Sequence, residues 1–173
     1  MSNNLRRVKQ AVVLAAGEGQ RLKPFTASKS KVMIPIANKP ILQYVVEALA
    51  MNGITEVILV VGYEREHVQD YFGSGEQFGV RINYIVQKQQ IGTGHALKQA
   101  KGAVDENFLV LAGDNIIEPS TISSFVLVPP NSILVKQQEN VSKYGVATMQ
   151  GGIVTDLVEK PSEPLSNLVN IGI

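Results

Sequence analysis

The 173-residue sequence contains no cysteine. That excludes a disulfide framework and a thiolate metal site. An excess of charge of one sign is also missing: sixteen Lys and Arg against fifteen Asp and Glu leave a formal net charge of +1. Such a balance argues against a general binder of nucleic acid or of a membrane surface. No apolar run approaches the length needed to span a bilayer. Residues Met1 to Gln10 are polar and basic and lack the apolar centre of a signal peptide. Internal repeats and low-complexity tracts are absent too. These absences lead to the expectation of a soluble cytoplasmic protein, with one domain over residues 1–173 and a real hydrophobic core.

Apolar stretches alternate between strand-like and helix-like patterns. Ala11–Ala15, Thr55–Val61, Val80–Val86 and Phe108–Ala112 read as strands. Between them, Pro40 opens a helix with Ile41, Leu42, Val45, Val46 and Leu49 on one face, and Gly53 ends it. Glu64–Phe72, Gly94–Lys101 and a weaker Ser120–Val128 read as further helices. Later, Ser132–Lys136, Gly145–Met149 and Ile153–Val158 read as strands, the last two joined as a hairpin at Gly151-Gly152. This order predicts an α/β fold: a Rossmann-like, three-layer αβα arrangement with a mostly parallel, mixed sheet. The chain stops at Val169–Ile173, in what reads as the start of another strand. The sheet is therefore expected to be incomplete at its C-terminus, and its exposed edge to favour a homo-oligomer.

Residues 17–38 form a long segment with glycine, proline and several lysines but little helical periodicity, which reads as a functional loop. It begins with Leu14-Ala-Ala-Gly-Glu-Gly-Gln-Arg-Leu22, directly after the first strand. Gly17 and Gly19 let backbone N–H groups approach an anion, and Arg21 adds planar donors suited to phosphate oxygens. The loop is not a P-loop, since G-x-x-x-x-G-K-[ST] is absent. It departs from the dinucleotide fingerprint as well, because Leu22 replaces the last glycine and no acidic strand end follows at the expected spacing. A dehydrogenase-type domain is therefore disfavoured, and a nucleotidyltransferase loop is the third reading. Gly113-Asp114 lies at another strand end, where ligands gather in parallel sheets.

The stretch Ala11 to Thr26, AVVLAAGEGQRLKPFT, resembles the signature of sugar-1-phosphate nucleotidyltransferases, among them glucose-1-phosphate thymidylyl- and uridylyltransferases and N-acetylglucosamine-1-phosphate uridylyltransferases. Lys31 to Pro40, KVMIPIANKP, resembles that family's second block. Gln87 with Gly92-Thr93 resembles its base-reading element, Gly113-Asp114 its metal site and Glu159-Lys160-Pro161 its sugar-phosphate site. The resemblance runs from about residue 10 to the end of the chain.

What it implies is specific. Leu14, Ala15, Ala16, Gly17, Gly19, Gln87, Gly92 and Thr93 would bind the nucleotide. Arg21 would grip the β- and γ-phosphates, and Lys31 would neutralise the α-phosphate side; both are the catalytic candidates. Asp114 would hold Mg²⁺, with the family's second metal ligand expected beyond Ile173. Gly145, Glu159, Lys160 and Asn170 would bind the sugar phosphate. A glutamine donates and accepts at once, so Gln87 suits the imide edge of uracil or thymine, and UTP or dTTP is the expected nucleotide. For the sugar, Gly92-Thr-Gly-His-Ala96 points to N-acetylglucosamine 1-phosphate and Glu159 to Asn167 to glucose 1-phosphate. A non-catalytic nucleotide-binding fragment or regulatory subunit is the alternative. Taken singly, several of these residues have plainer roles: Thr93 as a helix N-cap, Glu159 and Lys160 as an edge ion pair, His67 and His95 as helix-surface residues.

Overall fold

A computed structural model describes residues 8–17 and 30–173. The chain divides into two compact units, residues 1–128 and 129–173.

The first unit starts with strand β1, Gln10–Ala15. One turn of 3-10 helix over Lys31–Met33 precedes two-residue strands β2, Pro35–Ile36, and β3, Lys39–Pro40, which pair as a small hairpin. Both turn residues of that hairpin, Ala37 and Asn38, have positive φ, 46° and 67°, as the tightest hairpin turns require. Helix α1 follows over Ile41–Met51, then β4 over Glu56–Val61, α2 over Arg65–Phe72, β5 over Arg81–Val86, α3 over Thr93–Gln99, β6 over Leu109–Ala112 and α4 over Pro119–Phe125.

Strands β1, β4, β5 and β6 form one parallel sheet in the order β5-β4-β1-β6. A parallel sheet buries both faces, and its strands accordingly read as continuous apolar runs. Val57, Ile58, Leu59, Val60 and Val61 of β4 are all buried, as are Ala11, Val12 and Val13 of β1. Val12, Ile58 and Val60 pack with Ala96 and Ala100 of the α3 region to form a core cluster. The apolar face read from residues 41–49 is buried as expected: Leu42, Val45, Val46 and Leu49 are fully enclosed. Each contributes on the order of 2 kcal/mol by leaving water. Gln10 is a polar member of this core. Its carboxamide donates to the Ala103 carbonyl and accepts from the Asp105 N–H, tying the loop before β6 to the start of β1.

Two helix starts differ from expectation. Pro40 caps α1 from just outside, at φ −55° and ψ 145°, rather than occupying its first turn. Glu64 precedes α2 in a left-handed conformation, so the helix begins at Arg65. The expected loop over residues 17–38 already contains regular structure from Lys31 onward. On the hairpin side of α1, Lys39 Nζ meets the Glu47 carboxylate at 2.9 Å. Burial opposes the Glu47 charge, but hydrogen bonds from Lys39 and Gln43, with the charge of Lys39, hold this carboxyl below its usual value.

The second unit is an antiparallel sheet. Its strands are β7, Val135–Gln137, β8, Gly145–Gln150, β9, Ile153–Glu159, and β10, Leu168–Asn170, in the order β7-β10-β8-β9. Strands β8 and β9 form the expected hairpin, turning at Gly151 and Gly152, both with positive φ. Val141, Val146 and Val169 make its small core, while every residue of β9 is exposed. The α/β, Rossmann-like class is as expected from the alternating pattern. Among the described residues no helix is long and apolar enough to cross a membrane.

Candidate functional site

Four chain segments leave the carboxyl end of the parallel sheet next to one another. The sheet's spatial order runs third, second, first, fourth, so the chain reverses direction across the sheet between β1 and β6. Ligands bind in open α/β sheets at that switch point. Backbone hydrogen bonds extend the pairing one residue beyond the strands. The Gly113 N–H donates to the Leu14 carbonyl at 2.9 Å, and the Gln87 N–H donates to the Val61 carbonyl at 2.8 Å. Asp114 is thereby set beside the end of β1, and Gln87 beside the end of β4.

Two glycines allow these ends to crowd together. A Cβ on Gly62 would lie 2.9 Å from the Ala16 carbonyl oxygen and 3.2 Å from Gln90 Nε2. One on Gly113 would lie 3.0 Å from the Leu14 carbonyl oxygen. Gly113 belongs to the Gly113-Asp114 pair already marked by the sequence, whereas Gly62 does not stand out there, because it follows a strand where a turn is expected anyway.

A cavity of about 380 Å³ opens at this end. Leu14, Ala15, Ala16, Gly17, Lys31, Gln87, Gly92, Thr93 and Asp114 all line it, as does Gln90. Nine of the residues expected to bind nucleotide, phosphate or metal therefore share one wall. Arg21 and Gly19, expected to complete the phosphate grip, lie outside the described residues.

The wall carries a paired charge. Lys31 Nζ donates to Asp114 Oδ2 at 2.5 Å, and each side chain is about one-third exposed. A cation suited to phosphate oxygen and an anion suited to a metal thus meet at the cavity. Among the described residues no three His, Asp or Glu side chains cluster as a protein-only metal cage. A single carboxylate beside a phosphate-sized cavity fits Mg²⁺, which keeps several non-protein oxygen ligands.

Across the cavity, Gln87 is 4% exposed. Its amide nitrogen donates to the Gly92 carbonyl at 3.3 Å and lies 2.9 Å from His95 Nδ1. Reading His95 as a helix-surface residue is therefore corrected: its ring is partly buried and touches the expected base reader. The signal was the spacing of Gln87 and His95, which only the β5–α3 connection brings together. Thr93 does not cap α3; Gly92 holds the cap position with φ 112°, and no side chain caps the helix.

The sugar-phosphate candidates gather in the second unit. Gly145 pairs directly with Glu159 across β8 and β9. A Cβ on Gly145 would lie 3.2 Å from Glu159 Oε2 and 3.9 Å from the Asn170 Cβ. Gly145, Glu159 and Asn170 thus occupy adjacent positions on three neighbouring strands. Lys160 completes the group, with its Nζ 2.7 Å from Glu159 Oε1, the edge ion pair expected from sequence. Its φ is 45°, and its N–H donates to the Tyr144 carbonyl at 2.9 Å. Asn170 Oδ1 accepts the Gly172 N–H.

Comparison with known proteins gives this arrangement its relatives. Residues 10–173 match the family described as nucleotidyl transferase. The chain belongs to the nucleotidyl transferase family. It is 39% identical over 170 residues to the low-salt glycan biosynthesis nucleotidyltransferase Agl11 of Haloferax volcanii, covering 94% of this chain and 48% of that protein. It is 42% identical over 170 residues to the bifunctional protein GlmU of Methanococcus vannielii, covering 94% of this chain and 39% of the relative. The chain thus spans half or less of the length of these curated relatives. Among solved structures, UDP-glucose pyrophosphorylase complexed with UDP-glucose superposes with a TM-score of 0.80 at 27% identity, covering 95% of this chain and 74% of the other. Membership of the family is as the motifs had implied.

Proposed function

We propose that the protein transfers a nucleotidyl group from UTP or dTTP to a sugar 1-phosphate, either glucose 1-phosphate or N-acetylglucosamine 1-phosphate, releasing pyrophosphate. The observation that carries this reading is the single cavity at the switch point, lined together by the β1 end, Lys31, Gln87 and Asp114. Relatives support the same chemistry. One is a UTP–glucose-1-phosphate uridylyltransferase of Haloferax volcanii, 36% identical over 179 residues and covering 94% of this chain and 70% of that protein.

In the proposed reaction a phosphate oxygen of the sugar 1-phosphate attacks the α-phosphorus of the nucleotide. An O–P bond forms there as the bond to the β-phosphate oxygen breaks, and pyrophosphate leaves with the bonding electrons. Two polyanions must meet, so catalysis rests on positioning and on neutralising charge. Gln87 and the Gly92 backbone orient the base, and the β1 end with Gly17 cradles the phosphates. Lys31 offsets charge at the α-phosphate, while Arg21 supports the departing pyrophosphate. Asp114 is the residue that would hold Mg²⁺. Bound there, the ion would supply charge neutralisation for the phosphates. Glu159 and Asn170 hydrogen-bond the sugar, and Lys160 meets its phosphate.

Pyrophosphate release in the presence of Mg²⁺, UTP or dTTP and each sugar 1-phosphate tests the proposal. Release is expected with one such pair, and Arg21→Ala or Asp114→Ala should lower kcat by roughly a hundredfold or more while the fold persists. Nucleotide binding with no release under any pairing would instead favour a non-catalytic binding role.

A further inference from the structure

The Gln87 carboxamide is oriented by the protein before any base arrives. One of its two N–H groups reaches the Gly92 carbonyl, and the other reaches His95 Nδ1 at 2.9 Å. No hydrogen bond among the described residues uses its oxygen. Turning the amide over would set that oxygen against the Gly92 carbonyl oxygen, acceptor against acceptor. The remaining freedom lies in the His95 ring. A neutral imidazole accepts at one nitrogen only, and two carboxamides compete for it: Gln99 Nε2 lies 3.2 Å from His95 Nε2. Gln87 has the shorter contact and is buried, so leaving its N–H unmet costs more. Gln99 has another acceptor, the His95 carbonyl at 3.2 Å. Meeting the buried Gln87 N–H therefore calls for the tautomer with its proton on Nε2 and Nδ1 left to accept.

We infer that His95 is a positioning residue for base choice. As the Nε2–H tautomer it keeps the Gln87 nitrogen turned to the protein and leaves the oxygen to accept from the base. An oxygen acceptor suits the N3–H of uracil or thymine. Cytosine presents an unprotonated N3 at that edge, so two acceptors would face each other. His95 thereby converts a side chain with both donor and acceptor capacity into a reader of the imide N–H. This inference rests on the proposed nucleotide reading of the cavity.

The experiment compares UTP, dTTP and CTP binding by calorimetry in wild type, His95→Phe and His95→Asn, with KM and kcat for the nucleotide. Phenylalanine removes the acceptor; asparagine retains one within reach of the Nδ1 position. In His95→Phe the preference for UTP or dTTP over CTP should fall roughly tenfold, with the change carried by KM for the nucleotide and kcat nearly unaltered. His95→Asn should restore most of it. In parallel, ¹⁵N NMR of the wild-type ring should report the Nε2–H tautomer, a readout that needs no variant to fold. An undiminished preference in folded His95→Phe, or an Nδ1–H tautomer in wild type, overturns the role of His95 and leaves the base site standing. A wild type that binds UTP and CTP equally, or neither, overturns the nucleotide reading and this inference together.

Discussion

Lys160 holds a backbone conformation that lysine rarely adopts. At φ 45° its Cβ crowds the backbone, and such left-handed non-glycine residues cost of order 1 kcal/mol or more. The hydrogen bond from its N–H to the Tyr144 carbonyl holds it there, at the end of β9 beside Glu159. Glycine takes this conformation without strain, although it gives up more chain entropy on folding. Lys160→Gly should therefore stabilise the protein by roughly 0.5–1 kcal/mol in denaturant melts while raising KM for the sugar 1-phosphate. A loss of stability would contradict the account of strain. Residue identities at this site were legible from the Glu-Lys-Pro motif, but the strain was not: nothing in the local sequence marks Lys160 as left-handed. His95 shows the same boundary from the other side. Its helix was foreseen, yet its contact with Gln87 depends on how the β5–α3 connection turns, and that is a tertiary fact.

Strand ends build the candidate cavity, and their closeness depends on glycine. Gly62 follows β4, and a Cβ there would press on the Ala16 carbonyl oxygen at 2.9 Å, backbone that cannot swing aside. Gly62→Ala should therefore destabilise by about 1–3 kcal/mol and, by pushing the β1 end outward, weaken UTP binding as well. Unchanged melting and unchanged UTP affinity would show that the β1 end is not held by this contact. The four parallel strands were legible because buried strands leave continuous apolar runs such as Val57 to Val61. Their order across the sheet was not read from periodicity, which carries no neighbour information. The hairpin over Pro35–Pro40 is silent in the sequence for a different reason. Its strands are two residues long, and its turn residues, Ala37 and Asn38, include no glycine to announce positive φ.

At the scale of the molecule, the candidate residues fall into two sets by location. Gln87, Lys31 and Asp114 belong to the first compact unit, and Gly145, Glu159, Lys160 and Asn170 to the second. Each set is held by hydrogen bonds and strand pairing within its own unit: Gln87 through the Gly92 carbonyl, Glu159 through its pairing with Gly145. Changes in residues that share no partners act independently. Gln87→Ala should weaken UTP binding measured without sugar by roughly tenfold, a loss typical of a removed hydrogen-bonding group. Glu159→Ala should leave that binding within about twofold, because its Oε1 meets Lys160 and its Oε2 lies over Gly145, both within the second unit. In steady-state kinetics the same substitution should raise KM for the sugar 1-phosphate. The double variant should show the sum of the two free-energy losses in kcat/KM. A UTP affinity that falls in Glu159→Ala as far as in Gln87→Ala would mean that one set of residues serves both ligands, and the assignment of sugar and nucleotide to separate units would have to be abandoned.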